Sequence, residues 1–183
     1  VLLFPDTYTN HNHPEAGKAA VEVLEALNVH VRIPDDVVGS GRPPHSKGFI
    51  DEARAAARTN VDALAPLVAD GWDVVVVEPS DAVMFQYDYL DLLSGEAVER
   101  VAENTYGVLE YVDAFRLVDS AGIEPTPDAA RQSLTYHGHC HQKSTKKDHH
   151  AVGVLRRAGY DVDPLDSTCC WMAGSLGSEP EHY

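Results

Sequence analysis

The sequence predicts an α/β protein of two pseudo-repeated βαβ halves, each with a parallel sheet flanked by helices. Three observations carry this. Short apolar runs of strand length alternate with amphipathic stretches of helix length. The alternation repeats along the chain at a fixed offset. Glycine- and proline-rich loops follow the strand-like runs, where α/β sheets carry their binding crevices.

"VLLFP" at residues 1–5 reads as a buried strand, and "PEAGKAAVEVLEALN" as a helix with Pro14 in its first turn and Asn28 as its stop. "VHVRIP" at 29–34 predicts a second short strand, and "DDVVGSGRPPHSKG" a loop. A long helix is expected over about 49–69, with Pro66 bending or interrupting it near its end. "WDVVVVEP" predicts a central strand, and helical stretches follow from 79 to about 120. "AGIEPTPDAA" is proline-rich and aperiodic, so it reads as a linker. "SLTYH" restarts the pattern as a strand, and "HHAVGVLRRAGYDVDPLD" continues it as helix then strand.

An offset of 131 residues lays Ala20 on Ala151, Val21 on Val152, Val23 on Val154, Leu24 on Leu155, Val31 on Val162 and Asp35 on Asp166. Any two amphipathic helix–strand units share some of this pattern. Here the register runs on into the loops, with "GSGRP" at 39–43 opposite "CCWMA" at 169–173 after one residue of slippage. An internal duplication is therefore expected, with a first half over 1–122 and a second over 123–183, together one compact domain. Parallel strand–helix–strand units need right-handed crossovers, which place both halves' loops beyond strand carboxyl ends. Val1 opens directly inside an apolar run and nothing closes the chain after "GSEPEHY", so both ends read as cuts in a longer polypeptide.

The chain has 183 residues, enough for one substantial domain, with 44% hydrophobic and 23% charged residues, as in ordinary soluble globular proteins. Its longest apolar runs are far shorter than a membrane span, and no secretory signal is visible. A net charge of −15 repels nucleic acid and anionic membranes, which counts against both as direct partners. Lysine is confined to Lys18, Lys47, Lys143, Lys146 and Lys147. An acid-rich, lysine-poor surface suits a salt-loaded cytoplasm, where screening relieves self-repulsion, so a halophilic source is expected. Three cysteines do not make a secreted disulfide framework, which points to a reducing, cytoplasmic setting.

Those three cysteines are Cys140 in "YHGHCHQKS" and the vicinal Cys169 and Cys170 in "STCCWMAG". Both segments follow predicted strands of one βαβ unit, so the three sulfurs are expected to converge. Thiolates select iron–sulfur clusters, zinc or cuprous copper. Neighbouring residues of a regular strand face opposite ways, yet in a loop around a polynuclear cluster they can grip different irons. Against this, free cysteine often behaves as a small buried hydrophobe, and a strained vicinal disulfide is a further alternative. His137, His139 and His141 would share one face of an extended segment and suit zinc or iron there, but the strand is expected to end near Gly138. Otherwise His139 and His141 line the crevice, donating to a cluster sulfide or relaying protons. His11 and His13 occupy the equivalent loop of the first half, and His149 and His150 read as surface residues at a helix start.

The blocks "YHGHCHQKS", "AVGVLRRAGYDV" and "LDSTCCWMAGSLGSEPEHY" resemble the cysteine-rich (CCG-type) domain of iron–sulfur oxidoreductases. That family includes subunits of heterodisulfide reductase and of anaerobic glycerol-3-phosphate dehydrogenase, the iron–sulfur subunit of glycolate oxidase, and fused FAD–iron–sulfur D-lactate dehydrogenases. "LFPDTYTN", "GSGRP", "SKGFIDEAR" and "VVVVEPSD" look like the family's early landmarks, so the resemblance spans nearly the whole chain. It implies one 4Fe–4S cluster held by Cys140, Cys169, Cys170 and a later cysteine past Tyr183. It also implies an FAD-bearing dehydrogenase partner, domain or subunit, a quinone or other electron acceptor, and a place in the cytoplasm or at the inner face of the membrane through those partners. In the first half the family's ligand positions fall on Thr7, Gly39, Ser40 and Asp81, none of which supplies a thiolate. That half is expected to be a degenerate copy.

Other candidates rest on the residues alone. Glu78, Asp81 and Asp6 at strand ends suit a hard cation or a substrate group, or simply cap the following helix. Arg42 lies in the crevice loop and suits a bidentate carboxylate clamp on a cofactor or substrate. "GSGRPP" lacks the third glycine of a phosphate loop, and neither a G-x-S-x-G nor an H-E-x-x-H motif occurs. The leading expectation is an electron-transfer domain or subunit of an oxidoreductase acting on lactate, glycolate or glycerol 3-phosphate. The alternatives are a mononuclear zinc or iron site of hydrolase or lyase type and a cofactor-free docking domain.

Overall fold

The computed structural model describes residues 1–122, 124–125, 128, 132–167, 169 and 180. Parallel strands lie in small sheets flanked by helices, which is the expected mixed α/β architecture. The chain divides into two compact units, Val1–Tyr111 and Val112–Tyr183.

The first unit holds a three-stranded parallel sheet in the order β1 (Leu2–Phe4), β2 (Val74–Val76), β3 (Thr105–Gly107). Leu2 pairs with Val74 and Phe4 with Val76, while Val74 pairs in turn with Thr105. The three valines of β2 are completely buried, as a central parallel strand covered on both faces requires. Between β1 and β2 run α1 (Thr7–His11), α2 (Pro14–Ala26), α3 (Arg42–Ser46) and α4 (Ile50–Ala69). Asn28, in a left-handed conformation, follows the end of α2, and Pro66 is taken into the last turn of α4 without stopping it.

Two expectations change. "VHVRIP" forms no strand; it touches the sheet through a single parallel bridge, Leu2 to Arg32. Arg32 and Ile33 are exposed, so the segment lacks the burial that stabilises a ladder. The stretch from 79 to about 120 is not wholly helical. It comprises α5 (Pro79–Val83), a π-helical turn (Met84–Asp88), α6 (Tyr89–Leu92), α7 (Glu96–Glu103), then β3, α8 (Val108–Ala114) and α9 (Leu117–Ala121).

The second unit contains a two-stranded parallel sheet, β4 (Ser133–Tyr136) against β5 (Asp161–Pro164), with Ser133 paired to Asp161 and Tyr136 to Pro164. Between them lie α10 (Cys140–Ser144) and α11 (His149–Arg157). The order strand, short helix, longer helix, then return to the sheet is common to both ends of the chain, with the Arg32 bridge standing where β5 stands later.

The core of the first unit gathers Phe4, Val74, Val76, Phe85 and Tyr89 with the Ala53–Ala57–Val61–Leu64–Val68 stripe of α4. Asn60 interrupts that stripe and is itself fully buried. Its Oδ1 accepts from the Val38 backbone N–H at 2.9 Å, and its Nδ2 donates to the Tyr89 hydroxyl at 2.9 Å. That hydroxyl donates onward to the Ser40 carbonyl at 2.8 Å. The relay pins the loop around Gly39 above the sheet, and burial pushes the Tyr89 phenol's pKa well up, keeping it a donor. Tyr89→Phe should cost about 1–2 kcal/mol, and Asn60→Leu about 2–4 kcal/mol because it strands partners on both sides. Urea unfolding of the two variants checks the order; equal stability of Asn60→Leu and wild type would refute the relay's role.

Candidate functional site

In the second unit the chemistry gathers beyond the carboxyl ends of β4 and β5, where a parallel sheet opens its crevice. β4 stops at Tyr136, so the histidines of "HGHCH" do not alternate along a strand. His137 is exposed, and Cys140 opens α10 with His139 as its N-cap. His139 Nδ1 accepts from the His141 backbone N–H at 3.2 Å, and the two rings stack with centroids 5.3 Å apart. A neutral imidazole whose Nδ1 accepts carries its proton on Nε2, so His139 is a donor at its outer nitrogen. His139, Cys140 and His141, all half-buried, each offer a ligand atom within 4.8 Å of the others.

Of the cysteines, Cys140 is half-buried and Cys169 exposed. Lys143 of α10 ties the segment before Cys169 to the helix that carries Cys140. Its Nζ donates to the Ser167 carbonyl at 2.6 Å and to the Leu165 carbonyl at 3.4 Å. Buried Gly138 leaves room for this reach, since a Cβ there would lie 3.1 Å from Lys143 Cε and 3.2 Å from Asp148 Cβ. Cys170 lies outside the described residues.

The first unit builds a second crevice at the ends of β1 and β2. Thr7 and Gly39 stand together at an exposed mouth; a Cβ on Gly39 would sit 3.0 Å from Thr7 Oγ1. Inside, the buried Ser40 hydroxyl donates a very short hydrogen bond to Asp81, itself buried. Thr7 thus neighbours Gly39, and Ser40 bonds Asp81. Asp6 is completely buried; its Oδ1 accepts from the Thr9 N–H at 2.7 Å, and its Oδ2 has no hydrogen-bond partner. Glu78 caps α5, accepting at Oε1 from the Ser80 N–H at 3.1 Å and the Ser80 hydroxyl at 2.7 Å. The cap is thus Glu78, while Asp81 points inward.

Arg42 is committed within this unit. Its Nε donates to the Ser80 carbonyl at 3.1 Å, and its guanidinium pairs with Asp88 and lies 3.5 Å from His45 Nδ1. It anchors the start of α3 to α5 and the π-helical turn. Asn60 and Tyr89, which fix the crevice loop, were not among the sequence candidates. The available signal was a polar residue on the apolar stripe of α4.

One thiol, Cys140, and two imidazoles therefore gather beyond β4 in the second unit, and hydroxyls and carboxyls beyond β1 and β2 in the first. Burial pushes the Asp81 carboxyl up to about 6; the Ser40 hydrogen bond opposes this, the Asp6 and Glu78 charges add to it, and Arg42 opposes it. An unfolded Asp81 loses its proton near 3.8, whereas the folded one holds it to about 6. Between those pH values the native state binds more protons, so this residue makes stability fall as pH rises, by on the order of 2–3 kcal/mol in all. Asp81→Asn should remove that component. Urea unfolding across pH 4–7 is the check, and an unchanged slope in the variant would count against a buried, late-titrating Asp81.

No protein-family model matches the chain, and no solved structure matches it. Curated relatives do, at modest identity. The chain is 26% identical over 190 residues to a subunit of the anaerobic glycerol-3-phosphate dehydrogenase of Escherichia coli, an alignment covering 100% of the chain and 46% of that protein. It is 28% identical over 186 residues to lactate utilization protein A of Bacillus pumilus, covering 96% of the chain and 74% of the relative. The protein of the same name from Shouchella clausii is 24% identical over 185 residues, covering 96% of the chain and 73% of that relative. The chain thus spans about half the length of the Escherichia coli relative, and the similarity runs through both of its halves.

Proposed function

We propose that this chain is the iron–sulfur electron-transfer part of a flavin-linked oxidoreductase that acts on lactate, glycolate or glycerol 3-phosphate. The observation that carries the reading is the arrangement of Cys140 and Cys169. Each lies in the segment that follows one of two hydrogen-bonded parallel strands, and Lys143 ties those segments together. The donor set fits: soft thiolates from the start of α10 and from the segment after β5 suit iron in a polynuclear cluster. The names of the relatives, a dehydrogenase subunit and a lactate utilization protein, support the substrate class.

Cys140, Cys169 and Cys170 would hold the cluster, proposed as a single 4Fe–4S group, which supplies one-electron transfer when bound. The chain's own residues do the tuning. The outer N–H of His139 would serve as a donor to a cluster sulfide, and His141 stacks on that ring to fix its plane. Hydrogen bonds to sulfur and burial are the levers by which a protein sets such a potential. FAD belongs to a partner domain or subunit, which feeds electrons toward a quinone or another acceptor. Among the described residues no helix is long and apolar enough to cross a membrane, so attachment at the inner face of a membrane would run through those partners. One further observation favours a second reading. The mutual reach of His139, Cys140 and His141 also suits a single zinc or iron ion.

Full-length polypeptide purified without oxygen should carry iron and acid-labile sulfide in equal amounts. Cys140→Ser and Cys169→Ser should each lose most of both, with circular dichroism reporting whether the fold survives. Zinc without sulfide would support the mononuclear site, and protein free of iron and sulfide would overturn the electron-transfer reading. The net charge of −15 and the sparse lysines support a salt-rich cytoplasm. On that reading the thermal midpoint rises with potassium chloride up to about 1 M, as charge screening spans this range, whereas a flat response would remove the halophilic assignment.

A further inference from the structure

A second cluster of metal-competent side chains lies in the second unit, outside the cysteine crevice. Asp113 stands in the last turn of α8, and His149 and His150 open α11. Asp113 Oδ2 is 2.6 Å from His150 Nδ1, and its Oδ1 pairs with Arg157. Both the Asp113 and His150 side chains are largely withdrawn from solvent, at 17% and 20% exposure, whereas His149 is exposed. The two imidazoles pack with ring centroids 4.0 Å apart. Asp113, His149 and His150 each bring a ligand atom within 4.8 Å of the other two.

The helix is shaped to admit the carboxylate. His150, Gly153 and Arg157 are spaced three and four residues apart, so they lie on one face of α11. A Cβ on Gly153 would sit 3.3 Å from Asp113 Oδ1 and 3.5 Å from Arg157 Nη2, tighter than ordinary contact at the first. Glycine at this position lets Asp113 come down between the histidine and the arginine. An ion pair alone would account for His150 and Arg157, but it makes no use of His149. Metal-binding carboxylates are commonly oriented by a hydrogen bond on their other oxygen, the position Arg157 holds here.

We propose that Asp113, His149 and His150 form a binding site for a first-row divalent transition metal of the zinc type. Two nitrogens and one carboxylate oxygen match that borderline-soft class, whereas magnesium and calcium prefer oxygen alone. The exposed His149 ring gives the ion its way in, and solvent completes the coordination. The strongly negative chain raises the local concentration of any cation.

The test is zinc titration of the full chain by calorimetry after its thiols have been blocked with N-ethylmaleimide, so that the cysteines cannot take the ion. One equivalent should bind, and cobalt in its place should give visible d–d bands without thiolate charge transfer. His149→Ala should weaken binding at least tenfold, as should Asp113→Asn. His149 is exposed and its one described contact is the His150 ring, so its removal leaves the fold in place. Failure of the blocked chain to bind zinc, or equal affinity in His149→Ala, overturns the site. Neither readout depends on the iron or sulfide content of the protein.

Discussion

The crevice of the first unit depends on one polar relay through an apolar core. Asn60, on the buried stripe of α4, holds the Val38 N–H and the Tyr89 hydroxyl, and that hydroxyl holds the Ser40 carbonyl. A glycine-containing loop beyond a parallel sheet has no ladder of its own to satisfy its backbone. Without these bonds the buried Asn60 side-chain amide and Ser40 carbonyl groups would each cost about 1–3 kcal/mol. Satisfied, they fix a single path for the chain past Gly39, so that Ser40 meets Asp81 and Gly39 meets Thr7. The aromatic contacts of Phe85 with Phe4 and Tyr89, at 4.8 and 4.6 Å between centroids, hold the phenol ring in place for this task.

That fixed loop lets oxygen groups join the segments of the first unit. Ser40 and Asp81 close the inside of the crevice with their own hydrogen bond, and Arg42 ties the loop's far side to the Ser80 carbonyl and Asp88. They join the segment after the Arg32 bridge to the segment after β2. The cost is carried by carboxylates. Asp6 keeps one oxygen buried and unbonded, and its charge helps hold a proton on Asp81.

Much of this was legible in the sequence. The "VLLFP" and "VVVV" runs mark continuous burial, and the alanine- and leucine-rich periodicity of α4 marks its core face. Three features resisted. Thr105–Gly107 is three residues long, includes a glycine and sits between helices, so no period-2 signal could develop. "VHVRIP" alternates as a strand should, yet its pairing depends on burial that only the tertiary structure withholds. The third is His150, which looked like a solvated helix start beside His149. Its partner Asp113 lies 37 residues earlier and the clearance at Gly153 exists only once the two helices are packed. For the site, the residue types at Cys140 and His139 were readable, but the tautomer of His139 and the strap from Lys143 to Ser167 required coordinates.

The two units also differ in how far they can stabilise themselves. The first buries Phe4, Phe85, Tyr89 and Met84 around a three-stranded sheet. Among the described residues of the second, the buried apolar side chains are Val112, Val118, Ala151, Val152, Val154 and Val162, without an aromatic ring, against a two-stranded sheet. Two-stranded sheets gain independent stability only by packing or by added links. Polar fasteners therefore matter more here: Lys143 to Ser167, His150 and Arg157 to Asp113, and Arg156 to the Val162 carbonyl at 2.9 Å. A group that binds only the folded form adds its binding free energy to stability. The unit that carries Cys140 and Cys169 is thus the one with the most to gain from a ligand, and the unit with the aromatic core is the one that can do without.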